Sequence, residues 1–183
     1  MDKETTSRLA AAAKQGDAAA FAALYENCYK SLYKAAYYML GNRHDAEDVV
    51  MDTVADAFAG ISKLREDDAF EGWIFRILYN KARRRRGTLR YTAAAELSED
   101  LEADDPRAAF TAERADLGAA LFTLTKEERT IVVLATVCGY ASGEIAAITG
   151  LNANTVRSKQ MRALAKLRKQ LEGKGRGDSA YGG

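Results

Sequence analysis

Apolar residues recur every three or four positions along most of the chain, which is the spacing of a helix with one buried side. The pattern is clearest near the C-terminal end, where five apolar residues share one stripe: Val156, Ala163, Leu164, Leu167 and Leu171. A shorter apolar pattern around Ile145 and Ile148 precedes it. Gly150 between the two accepts the positive φ of a tight turn, and Asn152 can cap the second helix. The stretch 141–171 is therefore predicted to form a helix-turn-helix.

The second helix of this predicted motif is basic on the side away from its apolar stripe. That side carries Asn154, Arg157, Ser158, Met161, Arg162 and Arg168. Eight lysines or arginines and one acid, Glu172, lie between Arg157 and Arg176. Because cations bind phosphates and polar side chains reach base edges, the pattern favours a helix that enters the DNA major groove. A helical hairpin with a solvated basic face remains the alternative.

The same spacing predicts helices along the rest of the chain. In the first half they are expected to cover 5–14, 18–40, 45–59 and 70–87. Residues 61–69 are predicted to form a polar connection. Between 110 and 137 two more helices are expected, the second of which begins with a capping box formed by Thr125 and Glu128.

The stretch 91–107 has no sustained apolar period and is acidic, so we expect it to be a flexible linker between two domains. Its acids are Glu96, Glu99, Asp100, Glu102, Asp104 and Asp105. The predicted fold class is all-α, with two small helical domains, 1–90 and 108–172, and the helix-turn-helix in the second. Residues 173–183 are expected to form a disordered tail.

Charge is segregated along the chain, although the formal net charge is only +1. The predicted helix 45–59 carries the acids Asp45, Glu47, Asp48, Asp52 and Asp56. Its inner face is predicted to consist of Val49, Val50, Val54, Ala57 and Phe58. An acidic side of this kind suits docking to a basic partner, although a merely solvated face would have the same composition.

The predicted helix 70–87 combines aromatic residues with a basic C-terminal end. Its core stripe is predicted to be Phe70, Trp73, Ile74, Ile77 and Leu78. Its outer side is predicted to carry Phe75, Arg76, Tyr79, Asn80 and Arg83. It ends in Lys81 and the four consecutive arginines 83–86. Cations at a helix C-terminus are favourable by themselves, but beside exposed aromatics they also suit a surface that stacks on bases and follows a phosphate backbone.

Other functional classes have little support in the sequence. Cys28 and Cys138 stand far apart, and His44 is the single histidine, so no zinc-ligand spacing exists. Reduced thiols in a cytoplasmic protein are expected. No apolar run is long enough to span a bilayer, so direct membrane insertion is not expected. We expect no enzymatic activity, metal, cofactor or small-molecule substrate, because the acids lack partners that would complete a catalytic site.

Three stretches together resemble the extracytoplasmic function (ECF) group of bacterial RNA polymerase sigma factors. Residues 45–58 are similar to the polymerase-docking helix of that family's second conserved region. Residues 70–87 resemble its promoter-melting and minus-ten-reading helix, and residues 124–168 resemble its fourth region, which reads the minus-thirty-five element. The chain departs from the family at Lys159, where an arginine is usual, and at Gln160, where an apolar residue is usual.

The resemblance implies a role for particular residues. Polymerase contacts are implied for Asp45, Glu47, Asp48 and Asp52. The connection 62–68, with Lys63, would hold a flipped non-template base. Contacts to the minus-ten strand and duplex edge are implied for Arg76, Tyr79, Asn80, Arg83 and Arg84. The groove of the minus-thirty-five element would be contacted by Asn154, Arg157, Ser158, Met161 and Arg162.

The function implied is that of an alternative sigma factor, which directs RNA polymerase core enzyme to specific promoters and helps to open them. Its partners would be the core enzyme, promoter DNA and an anti-sigma factor. A stand-alone helix-turn-helix regulator, whose first domain senses a ligand or dimerises, is the competing interpretation. A nucleic-acid enzyme that uses the acidic helix is a more remote one.

Overall fold

The structure, a computed structural model, describes residues 1–88 and 112–175. These residues form eight α-helices, and no β-strand occurs among them. The all-α fold is therefore as predicted. The chain divides into two compact units, of which the first is built mainly from 1–88 and the second mainly from 112–175. The predicted linker, 91–107, lies outside the described residues.

The first unit contains four helices, with two short 3₁₀ turns before the last. Their bounds are α1 (Lys3–Lys14), α2 (Ala18–Leu40), α3 (Arg43–Gly60), the turns Ile61–Lys63 and Asp67–Ala69, and α4 (Phe70–Thr88). Local signals determine the helix ends. The Asp17 carboxylate accepts hydrogen bonds from the first amides of α2, and Gly41 ends that helix with φ at 76°. The Asn42 side chain then accepts from the amide of Asp45 at the start of α3.

The core of the first unit lies where α2, α3 and α4 meet, and α1 covers one side of it. Its fully buried side chains include Leu32, Met39, Phe70, Ile74 and Leu78. Phe75, which was expected on the outer side of α4, is only 2% exposed. The expectation was wrong because α4 packs against three other helices, so it buries more than the single stripe that the spacing marks.

Two further expectations for the first unit are corrected. Phe58 was assigned to the inner face of α3 but is 53% exposed, with only one ring edge resting on Phe21 at 5.1 Å between centroids. The connection 61–69 was expected to be polar, yet Ile61 and Leu64 are buried. The two 3₁₀ turns fold the connection back onto α1, which gives these two apolar side chains a place to pack.

The second unit contains four helices. Their bounds are α5 (Ala112–Phe122), α6 (Lys126–Thr136), α7 (Ser142–Thr149) and α8 (Ala153–Gly175). The predicted capping box is present at the start of α6, where Thr125 and Glu128 each satisfy the backbone amide of the other. Helices α7 and α8 form the predicted helix-turn-helix, with Gly150 at φ 76° between them. The Asn152 side chain accepts from the amide of Asn154 and so caps α8.

Helix α8 buries a narrower stripe than its sequence suggested. Val156, Ala163 and Leu167 are buried, but Leu164 and Leu171 are exposed. The helix continues to Gly175, past residue 173, where a disordered tail was expected to begin. Residues 176–183 lie outside the described part of the chain.

Candidate functional site

The acidic side of α3 is partly in solvent. The side chains of Asp48, Asp52 and Asp56 are 61%, 71% and 58% exposed. They follow one another at intervals of one helical turn. Glu47 is half-buried and accepts a hydrogen bond of 3.1 Å from the guanidinium of Arg43, one turn earlier. Three strong anionic positions are therefore presented along one side of the helix.

Asp45 differs from the other acids because its side chain is only 10% exposed. The guanidinium of Arg85, in α4, lies between it and Asp48. The Nε atom of Arg85 donates to Asp45 Oδ1 at 2.7 Å, and Nη2 donates to Asp48 Oδ2 at 3.2 Å. The hydrogen bond and the charge of Asp45 raise the pKa of the Arg85 guanidinium above its usual value. Asp45, which was expected to face a polymerase, instead binds Arg85.

Lys81, one turn before Arg85, extends this pattern. Its Nζ atom lies 2.7 Å from Asp56 Oδ2 and 3.8 Å from Asp52 Oδ2. The two cations of α4 thus each span two acids of α3. We call this set the α3–α4 ladder: Asp45, Asp48, Asp52 and Asp56 with Lys81 and Arg85. Acids on α3 and cations on α4 both recur at intervals of one turn in the sequence, but pairing them requires knowing that the two helices pack together.

Two large apolar side chains on α3 lie on the surface, which the sequence pattern did not lead us to predict. Met51 is 72% exposed and Phe58 is 53% exposed, and they lie two turns apart on one side of the helix. The surface of α3 therefore mixes large apolar side chains with the exposed acids. A surface of that composition suits a protein partner that is both basic and apolar. The sequence contains a signal for this exposed apolar surface, because the apolar residues of 45–59 do not all fall on one side of a helix.

The outer side of α4 carries most of the residues expected there. Arg76, Asn80, Arg83 and Arg84 are exposed, and Tyr79 is half-buried. The run of four arginines does not form one surface. Arg85 belongs to the α3–α4 ladder, and Arg86 is buried, with its Nε atom donating to the carbonyl of Ala82 at 3.3 Å. Burial lowers the pKa of the Arg86 guanidinium from its usual value.

The connection between α3 and α4 is held against α1. Lys14 pairs with Asp67, and Lys3 lies 3.7 Å from Asp68. Together with the buried Ile61, these contacts place the segment firmly on the unit. Its exposed residues are Ser62, Lys63, Arg65, Glu66 and Asp68. Lys63 is thus exposed, and its contact with DNA stays a prediction.

The five residues predicted for the groove-facing side of α8 lie together in solvent. They are Asn154, Arg157, Ser158, Met161 and Arg162. Arg157 donates to the side-chain oxygen of Asn154 at 2.9 Å, and Arg162 Nε donates to the carbonyl of Ser158 at 3.2 Å. Met161 is among the most exposed apolar side chains of the described residues. Hydrogen-bond donors, an amide and an apolar tip are therefore presented on one helix face, as base-edge contacts require.

Not every cation of α8 faces that side. Lys159 Nζ lies 2.7 Å from Glu127 Oε2, and Lys166 Nζ lies 2.7 Å from Glu128 Oε1. Both acids belong to the first turn of α6. These pairs join residues 32 and 38 positions apart in the chain, so no local pattern could have indicated them.

Other chemistry is sparse in the described residues. Within 1–88 and 112–175, no group of three or more His, Cys, Asp or Glu side chains is arranged to hold a metal ion. Neither cysteine forms a disulfide. Cys28 is buried, and burial raises the pKa of its thiol to about 12. No helix in the same part of the chain combines the length and apolar character needed to cross a bilayer.

Family models match both units. The family described as Sigma-70 region 2 matches residues 24–101, and the family described as Sigma-70, region 4 matches residues 114–167. The first match includes α3, the connection and α4. The second includes the helix-turn-helix. The region 2 match therefore contains the exposed sides of α3 and α4, and the region 4 match contains the exposed side of α8.

Individual relatives agree with the family models. The ECF RNA polymerase sigma factor SigE of Mycolicibacterium smegmatis is 37% identical over 147 residues, which are 76% of this chain and 57% of SigE. The RNA polymerase sigma factor NccH of Alcaligenes xylosoxydans xylosoxydans is 31% identical over 180 residues, covering 93% of this chain and 97% of NccH. The solved structure of CnrH in complex with the cytosolic domain of CnrY has a TM-score of 0.74 at 30% identity, and covers 92% of this chain and 98% of CnrH.

Proposed function

Because the chain belongs to the ECF group of RNA polymerase sigma factors, we propose that it brings the core enzyme to particular promoters and helps to open them. As an alternative sigma factor it is a regulator of transcription initiation. The observation that carries the proposal is the division of surfaces among three helices. Helix α3 presents an acidic and apolar side, and α4 and α8 each present basic and polar side chains to solvent.

The polymerase is proposed to bind the exposed side of α3. Asp48 and Asp52 supply the charge, Glu47 flanks them, and Met51 and Phe58 supply apolar area. Charge on such a surface mainly steers association and selects the partner, while the apolar area contributes affinity. Asp45 is proposed to act indirectly, because its carboxylate is turned toward Arg85.

The melted minus-ten strand is proposed to pass along α4 and the connection before it. Extruding a base costs on the order of a few kcal/mol, and stacking on an aromatic side chain with phosphate pairing can offset it. Tyr79 and Asn80 provide a ring and an amide, and Arg76, Arg83 and Arg84 provide charge. Lys63 and its exposed neighbours are proposed to line the place where the flipped base is held.

The minus-thirty-five element is proposed to be read by the exposed side of α8. A helix that follows a glycine turn and presents polar side chains near its N-terminus is the usual geometry for insertion into the major groove. Arg157 and Arg162 reach outward from it, and Ser158 and Met161 lie between them. Asn154 holds Arg157 in place through its side-chain oxygen.

A regulatory protein is proposed to bind the chain when it is inactive. CnrH, which is 30% identical in the solved structure, is bound there to the cytosolic domain of a different protein, CnrY. We propose an anti-sigma factor as the corresponding partner here, and the cytoplasm as the compartment. The chain is proposed to have no catalytic activity of its own, no cofactor, no metal and no small-molecule substrate, because the polymerase performs the chemistry.

Transcription by core enzyme on a library of genomic fragments, with and without the chain, tests this function. We expect new start sites that require the chain, and we expect the chain alone to bind those fragments weakly. Asp48→Arg should weaken core-enzyme binding about tenfold, with folding intact. Glu26→Arg is the matched control, because Glu26 is an exposed acid on α2 outside the ladder. Unchanged start sites, with tight fragment binding by the chain alone, would favour a stand-alone regulator.

A further inference from the structure

One flank of α8 is joined to the rest of its unit by polar contacts rather than by apolar packing. Lys159 and Lys166 are seven residues apart, which places them on the same side of the helix about 10 Å apart along its axis. Gln170, one turn further, completes the flank. Its Oε1 atom lies 2.9 Å from the hydroxyl of Thr123, in the turn between α5 and α6.

The three contacts reach one small region of the fold. Lys159 and Lys166 meet the adjacent acids Glu127 and Glu128, and Gln170 meets Thr123 just before them. Each of the three contacts from α8 thus ends at the first turn of α6 or the segment that leads into it. This row lies between the buried stripe of α8 and its exposed groove-facing side, as the 100° step of a helix requires.

Glu128 is oriented independently of Lys166. Its Oε2 atom accepts hydrogen bonds from the amide of Thr125 at 3.1 Å and from the Thr125 hydroxyl at 2.9 Å. The opposite oxygen, Oε1, is the one that meets Lys166. The side chain of Glu128 is only 9% exposed, so burial restricts its carboxylate in addition to these hydrogen bonds. The acid is therefore a preorganised anchor for the lysine.

We infer that Lys159 and Lys166 are positioning residues for DNA reading: through Glu127 and Glu128 they fix the roll of α8, and they do not bind phosphate. The inference rests on the proposed role of α8 as the reading helix. Base contacts require side chains held within about 0.5 Å and 10–20° of the productive geometry. A rotation of α8 about its axis would move Arg157 and Arg162 together, so loss of an anchor changes selectivity.

The test uses the full chain bound to core enzyme, and a duplex selected by the wild-type complex from a random-sequence library. Binding to that duplex and to a shuffled duplex of equal length is measured over a series of KCl concentrations. Lys166→Met should reduce the ratio of the two affinities about tenfold, which is the effect of losing one base contact. The slope of log affinity against log salt should not change.

Lys169→Met is the matched control, because Lys169 is an exposed lysine on the same helix. A phosphate contact would give a different result from an anchor. It would weaken binding to both duplexes equally and reduce the salt slope by about 0.9. If Lys166→Met gives that result, the inference is wrong.

The second pair is tested by exchanging its charges. Lys159→Glu should reduce selectivity, and Lys159→Glu combined with Glu127→Lys should restore it, because the pair is remade in the opposite sense. Glu127 lies outside the capping box, so this exchange leaves the Thr125 and Glu128 side chains of the box unchanged. Failure of the double variant to recover selectivity, with a normal circular dichroism spectrum, would overturn the role of Lys159.

A readout without DNA separates this inference from the proposed function. If the wild-type complex selects no duplex, the reading function itself is wrong. Whether Lys166 anchors α8 is then tested by amide hydrogen exchange in the free protein. Lys166→Met should accelerate exchange along α8 severalfold relative to Lys169→Met, and Lys166→Arg should retain slow exchange. Equal exchange rates in the two Met variants would show that Lys166 does not anchor α8.

Discussion

In the first unit, Lys81 of α4 is paired with acids that remain largely in solvent, whereas in the second unit Lys166 of α8 is paired with an acid that is almost buried. Lys81 meets Asp52 and Asp56, whose side chains are 71% and 58% exposed. Lys166 meets Glu128, whose side chain is 9% exposed and is held by a capping box as well. Both units use lysine–carboxylate pairs to join helices, but the surroundings of the carboxylates differ.

This difference decides which pairs can exchange partners. Exposed ion pairs contribute about 0–1 kcal/mol and are screened by salt, so a cationic partner can compete for their acids. A carboxylate that is nearly buried and already hydrogen-bonded is much harder to separate from its cation. Asp52 and Asp56 of α3 can therefore serve a binding partner, whereas Glu128 of α6 is committed to the fold.

The largest effect is expected for Glu128→Ala. The substitution removes a capping-box side chain and the partner of Lys166 together, so the second unit should lose about 2 kcal/mol of unfolding free energy. Amide hydrogen exchange along α6 and α8 measures the loss. Glu127→Ala should cost much less, because its carboxylate is 42% exposed and caps nothing. Equal losses in the two variants would mean that burial of the acid does not determine its contribution to the unfolding free energy.

The division of work between the two basic helices should appear in promoter opening. Arg162→Ala should impair binding to duplex promoter about tenfold, because Arg162 lies on the side of α8 that is proposed to enter the major groove. Tyr79→Ala should impair opening by a similar factor, since its ring is the proposed stacking platform. A pre-melted bubble should rescue Tyr79→Ala and leave Arg162→Ala defective. Rescue of both variants, or of neither, would contradict the division.

The features that the sequence predicted are those with local causes. The helix starts at Asn152 and Thr125 follow from side chains that reach amides two or three positions away. The glycine turn before α8 and the exposed face from Asn154 to Arg162 are equally local. These signals need no knowledge of how the helices pack.

The errors arise where several helices meet. The burial of Phe75 depends on how many neighbours surround α4, which its own period does not reveal. The engagement of Asp45 by Arg85 joins residues 40 positions apart, and that of Glu128 by Lys166 joins residues 38 apart. A charge run read along the sequence therefore overstates the cations available to DNA, because packing directs some of them to acids on another helix.

Acid should weaken the second unit through Glu128. The hydrogen bond from Lys166 lowers the pKa of the Glu128 carboxyl to about 2 in the folded protein, against a usual value of 4.5. A depressed pKa contributes stability that is present above pH 4.5 and is lost as the pH falls toward 2. The loss should be on the order of 1 kcal/mol, less than for Glu128→Ala, because the pair meets solvent at the lysine. In Glu128→Gln, amide exchange in α6 should lack this pH dependence.

The smallest effects should separate the members of the α3–α4 ladder. Arg85→Ala leaves the Asp45 carboxylate, 10% exposed, without its cation, and should cost the first unit about 1 kcal/mol. Lys81→Ala leaves only acids that solvent already reaches, so it should cost about 0.3 kcal/mol. Urea unfolding followed by the fluorescence of Trp73, the only tryptophan, reports on this unit. Added salt should abolish the effect of Lys81→Ala and leave most of that of Arg85→Ala, because screening acts on exposed charges. Equal costs at low salt, or equal loss of both at high salt, would show that the exposure of the acid does not decide which pairs exchange.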